Sequence, residues 1–407
     1  MTGAAAARYR DVFAVGEFRV LWLAHIASVA GDQLARVAVS VLVFDRTHSP
    51  ALSAATYAVT FLPDLLGGSV LAGMADRYSR RLVMVTADLV RAGVVAALAL
   101  TGLPLVLQIG ALFVVQLLAG PFTAARSAAL PEILDGDRYT VGASVFSGTY
   151  QLALVLGFGG GAAVVTAIGP PAALAVDAGT FVLSAGLIAI GVSAHRPPAT
   201  SPARRTVWWS SLRGGIEAIS THPEARVLLA IACLCGFYVI PEGLAVAYAA
   251  QIGAGTGGLG WLLAANPAGT VIGILIVNKL SPDAKLRWLG PLAVASSALL
   301  LPTALAPGLA ATVGLWTLSG MATAHDAVTN AAFTTAVPDN TRGQAVGLAV
   351  ASLRAAQGVG IALAGLLAQL MPTSWVIGLA GGLGTLVGLA AAAAWARTRA
   401  SRPAGAT

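Results

Sequence analysis

The chain has 407 residues, of which 57% are hydrophobic and only 10% charged, and its mean hydropathy is +0.81. Soluble domains carry about 25% charged residues, so this composition excludes a soluble globular protein and specifies an integral membrane one. The net charge of +7 then belongs at the cytoplasmic lipid surface, which attracts cations, and no nucleic-acid partner is expected.

Stretches of about 20 apolar residues are read as membrane helices. Twelve are present, at roughly 18–44, 50–74, 83–102, 105–127, 139–165, 172–194, 225–248, 257–279, 288–305, 310–333, 343–369 and 374–396. The first follows Arg8 and Arg10 and is too long for the apolar part of a cleavable leader, so none is expected. Between spans two and three lies Gly73-Met74-Ala75-Asp76-Arg77-Tyr78-Ser79-Arg80-Arg81, a knot of charge that must be a short loop at a membrane face. The turns at Gly102-Leu103-Pro104 and Pro307-Gly308 are very short. The longest connection, 195–224, begins with prolines and carries Arg204-Arg205 and Trp208-Trp209. It continues with Leu212, Ile216 and Ile219 at helical spacing. It reads as a linker on the inner lipid surface, anchored by its tryptophans. Span seven holds both cysteines, Cys233 and Cys235. With no second pair and no histidine beside them they read as small buried hydrophobes, and neither a metal nor a cofactor is expected.

The charges orient the spans. An even number of spans puts both termini on one side. That side holds Arg8, Arg10, Arg77, Arg80, Arg81, Arg138, Arg196, Arg204, Arg205, Arg213, Lys285, Arg342, Arg397, Arg399 and Arg402, and the opposite face offers Arg46 alone. Cytoplasmic loops collect Lys and Arg, so both termini are expected in the cytoplasm, at the plasma membrane of a bacterium.

The linker separates two halves that look alike. Ala129-Leu130-Pro131 recurs as Ala336-Val337-Pro338, and Arg19-Val20-Leu21 as Arg226-Val227-Leu228. Gly142 falls near Gly347, and Gln151 near Gln357. A shared offset of about half the chain indicates duplication, and two parallel six-helix repeats are a transporter architecture. The expected fold is all-α and membrane-embedded, with twelve transmembrane helices in two pseudo-symmetric six-helix bundles. Residues 1–194 form the first bundle, 195–224 the linker, and 225–407 the second bundle with its basic tail.

The loop Asp76-Arg77-Tyr78-Ser79-Arg80-Arg81 resembles the signature loop of the major facilitator superfamily of secondary transporters. The first half is most similar to the macrolide-efflux and enterobactin-exporter-like branch. That similarity rests on Phe18-Arg19-Val20-Leu21-Trp22, Gly31-Asp32, Ala87-Asp88-Leu89-Val90-Arg91, Ala125-Arg126-Ser127-Ala128-Ala129-Leu130-Pro131 and Asp177-Ala178-Gly179-Thr180-Phe181. The resemblance implies a cytoplasmic gate in which Asp76, Arg77, Arg80 and Arg81 latch the halves together, joined by Asp88 and Arg91 near the inner end of span three. Two departures stand out. Ser79 replaces the family's second loop glycine, and Gly157-Phe158-Gly159-Gly160-Gly161 lacks the proline of the exporter motif in span five.

In this fold spans one, four, seven and ten line the central cavity, and ionisable groups inside spans are functional hypotheses. Candidates for proton coupling or solute contact are Asp32, Arg36, Gln116, Glu242, His325 and Asp326. Asp32 is either the proton carrier or an ion pair with Arg36, four residues on. Glu242 is either a second carrier or a hydrated group at the outer mouth. Asp326 is a carrier, or pairs with His325 or with span eleven. Asp64 is a cavity group or a partner of Arg354. Asp177 and His25 read as structural.

The expected function is proton-coupled export of lipophilic or amphiphilic small molecules, drug- or macrolide-like, by alternating access, with the bilayer, the solute and protons as partners and the monomer as working unit. A siderophore exporter or nutrient importer of the same fold is the alternative, followed by a non-transporting membrane sensor. No P-loop and no H-E-x-x-H motif occurs, so no enzymatic activity is expected.

Overall fold

Every regular element among the described residues is a helix. A chain whose backbone groups lie in lipid can satisfy them within a helix. The computed structural model describes residues 8–61, 63, 78–100, 103–194 and 208–400. Asp64, Asp76, Arg77 and the linker residues 195–207 lie outside them.

Nine helical stretches among the described residues, two of them interrupted, are long and apolar enough to cross a membrane, and they match nine of the twelve predicted spans. The other three are present in different form. Span two starts as Pro50–Val59 and continues outside the described residues. Span three is Arg80–Leu98. Span ten is divided into Leu309–Ala322 and His325–Ala336.

Contacts group the chain into two units. The first holds the described residues up to Leu42 and those from 63 to 194. In it, Arg80–Leu98 packs against both Leu105–Ile133 and Pro170–Gly191. Phe18, Leu21, Met84, Phe122, Leu130, Phe146 and Ile188 form its buried apolar cluster. Phe18 stands edge-on to Phe13 and to Phe146, with ring centroids 5.4 and 5.6 Å away. Lipid tails are as apolar as these side chains, so close fit rather than water exclusion holds such helices together.

Ser79 opens the Arg80–Leu98 helix, its hydroxyl accepting from the Leu82 amide at 3.4 Å. In the second unit Ser281 opens Pro282–Ala298 in the same way, accepting from the Ala284 amide at 3.3 Å. The cap supplies a physical reason for serine where the resemblance implies glycine, because it satisfies an amide that the first helical turn leaves without a partner.

The second unit holds Val43–Phe61 and the described residues from 208 onward. Here Pro50–Val59 packs against Arg342–Leu367 and Ile240–Gln251. Gly255–Asn278 meets Leu309–Ala322 backbone to backbone. A Cβ on Gly269, Gly273 or Gly320 would run into the facing main chain at Thr317, Met321 or Asn266. The short turn before Leu309–Ala322 needs Gly308, whose φ of +86° suits glycine. Of the predicted linker, Trp208–Thr221 is helical. Its Ala218 and Ile219 are buried and its Ile216 is half exposed, and Gly215 lies against the Gln344 backbone.

Candidate functional site

In the first unit, Arg91 gathers groups from neighbouring helices. Its Nη1 donates to Asp88 Oδ1 at 3.1 Å and to Ser28 Oγ at 3.0 Å, and its Nη2 pairs with Asp32 Oδ1. The guanidinium stacks over the Phe181 ring, 4.1 Å from the centroid. The spacings explain the convergence. Ser28 and Asp32 are four apart on Gly16–Thr47, and Asp88 and Arg91 three apart on Arg80–Leu98, so each pair shares one helix face. Asp177 approaches from Pro170–Gly191. Gly31 makes room for it, because a Cβ there would overlap Asp177 Oδ1 and Thr180 Oγ1.

This arrangement gives two of the expected groups different surroundings. Asp32 pairs with Arg91 rather than with Arg36, and Arg36 Nη2 instead donates to Gln116 Oε1 at 3.2 Å. Asp88 and Arg91, placed by the sequence in the cytoplasmic gate, are buried within the helices, with side chains 0% and 1% exposed. Of the remaining gate residues, Arg80 pairs with Glu132, and Arg81 Nη1 donates to the Val192 carbonyl at 3.4 Å. Both contacts fasten helix ends within the first unit.

A second cation in this unit is Arg126, whose Nη1 lies 2.6 Å from His25 Nδ1. Its guanidinium sits 4.9 Å from the centroid of Phe146. Among the described residues no carboxylate pairs with Arg126.

In the second unit, two helices are broken where their acids lie. Span seven runs as Pro223–Ala232, Cys235–Tyr238 and Ile240–Gln251, and span ten breaks at Thr323-Ala324. Pro241 accounts for one interruption, since it removes a backbone donor. The breaks place Glu242 and Asp326 in the first turns of Ile240–Gln251 and His325–Ala336. An anion is stabilised there by the helix dipole, by about 0.3–1 kcal/mol at an exposed site. Tyr238 Oη donates to Asp326 Oδ2 at 2.5 Å, and Tyr57 Oη to Glu242 Oε2 at 2.9 Å. His325, fully buried, has Nδ1 3.4 Å from Asp326 Oδ1. Arg354 donates to Gln357 Oε1 at 3.2 Å and faces the Phe61 ring at 5.7 Å.

The structure therefore brings together Asp32, Asp88 and Arg91 in one unit and Glu242, Asp326 and two tyrosines in the other. Sequence reasoning passed over Tyr57, Tyr238 and Arg126. The available signal was polarity, since a phenol or guanidinium within an apolar span needs a partner.

Comparison with known proteins agrees with this architecture. The family described as Major Facilitator Superfamily matches residues 21–253. The uncharacterized MFS-type transporter YkuC of Bacillus subtilis is 27% identical over 296 residues, covering 67% of each chain. The uncharacterized MFS-type transporter Rv0037c of Mycobacterium tuberculosis is 30% identical over 321 residues, covering 72% of this chain and 70% of that one. Among solved structures, a POT family transporter in complex with a thioalcohol-conjugated peptide superposes with a TM-score of 0.74 at 10% identity, covering 95% and 96% of the two chains. A bacterial homologue of the human lysosomal transporter Spinster gives 0.67 at 15% identity, covering 94% and 96%. At these identities the structural likeness speaks for the fold alone.

Proposed function

The chain belongs to the major facilitator superfamily, and from that membership we propose a proton-coupled exporter of lipophilic or amphiphilic small molecules, drug- or macrolide-like, that works by alternating access. The family's members are secondary transporters, so the protein moves a solute and is not an enzyme. Its helices make it a multi-pass membrane protein. The bacterial plasma membrane with cytoplasmic termini is the setting that the arginine distribution supports.

The observation that carries the reading is the placement of carboxylates inside otherwise apolar helices. Asp32 and Asp88 meet at Arg91 in the first unit. Glu242 and Asp326 sit at helix breaks in the second. Acidic groups inside membrane segments mark ion and substrate pathways. The residues shared with the macrolide-efflux branch favour export, and the scarcity of charge favours an apolar solute. Asp76 and Arg77, with Arg80 and Arg81, complete the proposal as the cytoplasmic gate.

The test is a toxicity screen in an efflux-deficient host expressing the chain, with and without a protonophore. The expected result is raised tolerance to lipophilic antibiotics that the protonophore abolishes. Tolerance indifferent to the protonophore would overturn proton coupling. A second reading, transport of an anionic solute such as a siderophore or nutrient, is favoured by Arg126, a cation with no carboxylate partner among the described residues. Flux direction in proteoliposomes under an imposed pH gradient separates export from import, and comparing an anionic with a neutral lipophilic solute separates the two solute classes.

A further inference from the structure

Three carboxyl groups and one guanidinium are enclosed together in the first unit. Arg91 bonds Asp32 and Asp88. Asp177 lies within electrostatic range of Asp32 and Arg91 yet bonds neither. Its residue is 0% exposed. The Thr180 hydroxyl shares its one hydrogen between the Asp177 carbonyl at 2.8 Å and the Asp177 Oδ1 at 3.3 Å, and Asp177 Oδ2 is buried with no hydrogen-bond partner. The titratable groups facing it are Asp32 from Gly16–Thr47 and Asp88 and Arg91 from Arg80–Leu98. The Asp137–Ile168 helix, also packed against it, keeps Asp137, Arg138, Tyr139 and Tyr150 in the half far from the Gly169 turn.

One guanidinium offsets one carboxylate. Were all three acids ionised, two negative charges would stand uncompensated in a buried site, which low-dielectric surroundings oppose strongly. Arg91 bonds Asp32 and Asp88 and reaches Asp177 only through space, so Asp177 is the acid with no bonded cation; with it neutral, one negative charge remains, shared with Asp32 at the partly open end of the cluster. We propose that this cluster is a proton-storage site in which Asp177 is the neutral member and Asp32 the member that exchanges protons with water.

Exposure assigns the second role. The Asp32 side chain is 15% exposed, and that of Asp88 is 0%. Asp177 does not bond Asp32, so its proton stays in place while Asp32 exchanges with water: an O–H bond forms on Asp32 as one breaks in hydronium, and the reverse returns the proton. A protonated Asp32 no longer holds the guanidinium as an ion pair, so each uptake loosens the link between Gly16–Thr47 and Arg80–Leu98. Gly31 makes room for the neutral Asp177 carboxyl beside the residue that precedes Asp32.

The role in transport rests on the proton-coupled reading above, but the stored proton is measurable without flux. The full chain is purified in an alkyl maltoside, which contributes no ester carbonyl, and its infrared spectrum is recorded at neutral pH in H2O and D2O. The wild type is expected to show a protonated-carboxyl C=O band that moves down in D2O. Asp177→Asn is expected to lose it. Thr180→Val, which keeps the acid and removes its hydrogen-bond donor, is expected to shift the band upward. Absence of the band from the wild type, or a band untouched by both variants, overturns the proposal. If Asp177→Asn does not fold, the Thr180→Val spectrum decides alone: a shifted band supports the site and an unshifted one overturns it. A normal band in a protein that shows no proton-driven flux would overturn the transport reading and leave the site standing.

Discussion

Tyr238 donates its phenol hydrogen to Asp326 across 2.5 Å, joining the broken middle of span seven to the first turn of the second half of span ten. Tyr238→Phe removes the donor and is expected to cost about 0.5–1.5 kcal/mol of stability, the net worth of a hydrogen bond whose acceptor stays partly open, since the Asp326 side chain is 44% exposed. Thermal unfolding in detergent reads the loss. Combining it with Asp326→Asn should cost less than the two single changes added together, and strict additivity would show that the bond contributes nothing.

Arg91 has a different dependence on its surroundings. Arg91→Gln leaves Asp32 and Asp88 without their cation, and removing one partner of a buried pair typically costs about 3–5 kcal/mol. A second change, Asp32→Asn, removes one of the stranded charges and should recover part of the thermal midpoint. Arg91→Lys should behave nearer to Gln than to the wild type, since an ammonium cannot reproduce the fork that reaches Ser28, Asp88 and Asp32 together.

The cap at Ser79 separates a structural role from a signature role. Ser79→Ala should destabilise the start of Arg80–Leu98 by about 1 kcal/mol, whereas Ser79→Gly should cost only a few tenths. Hydrogen exchange at the Leu82 amide, the group that Ser79 satisfies, is the measurement. Equal exchange in wild type and Ser79→Ala would remove the cap from the account.

Gly320→Ala places a Cβ against the Asn266 carbonyl. Backbone cannot yield as a flexible side chain does, so Gly255–Asn278 and Leu309–Ala322 must separate. The expected outcome is a lower thermal midpoint and poor recovery of monodisperse protein. Gly314→Ala, on the same helix with open space around it, is the matched control and should be neutral.

Asp32→Asn should abolish protonophore-sensitive drug tolerance in the efflux-deficient host while leaving expression intact. Unchanged tolerance would remove Asp32 from the mechanism.

Sequence periodicity carries local information well and distant information poorly, and these residues show where the line falls. The spans were legible because about 20 apolar residues in a row have one physical use. The interruption at Pro241 has a local marker, because proline lacks a backbone donor. The division at Thr323-Ala324 carries no proline or other local marker, so it did not show. Asp32 was weighed against Arg36 because four residues on a helix are neighbours by construction. Its actual partner, Arg91, depends on how two helices are rotated against each other, which no spacing along the chain encodes. Asp88 and Arg91 were seen to stand three apart near the inner end of span three, and what the spacing does not supply is their surroundings: the structure buries both, with Arg91 set against Ser28, Asp32 and the Phe181 ring.

The division of span ten has one more consequence. Leu309–Ala322 has 14 residues and His325–Ala336 has 12. At 1.5 Å per residue these pieces are about 21 and 18 Å long. Neither reaches across a hydrocarbon layer about 30 Å thick, so the discontinuity falls within the layer. The carbonyls at the break are met within the chain: the Thr323 amide reaches those of Ser319 and Gly320 at 3.1 Å, the Ala324 amide that of Met321 at 3.3 Å, and the Asp326 amide that of Thr323 at 2.9 Å. The discontinuity is thus sealed from inside: tightened turns carry span ten through the layer with its main-chain groups satisfied and without calling on water.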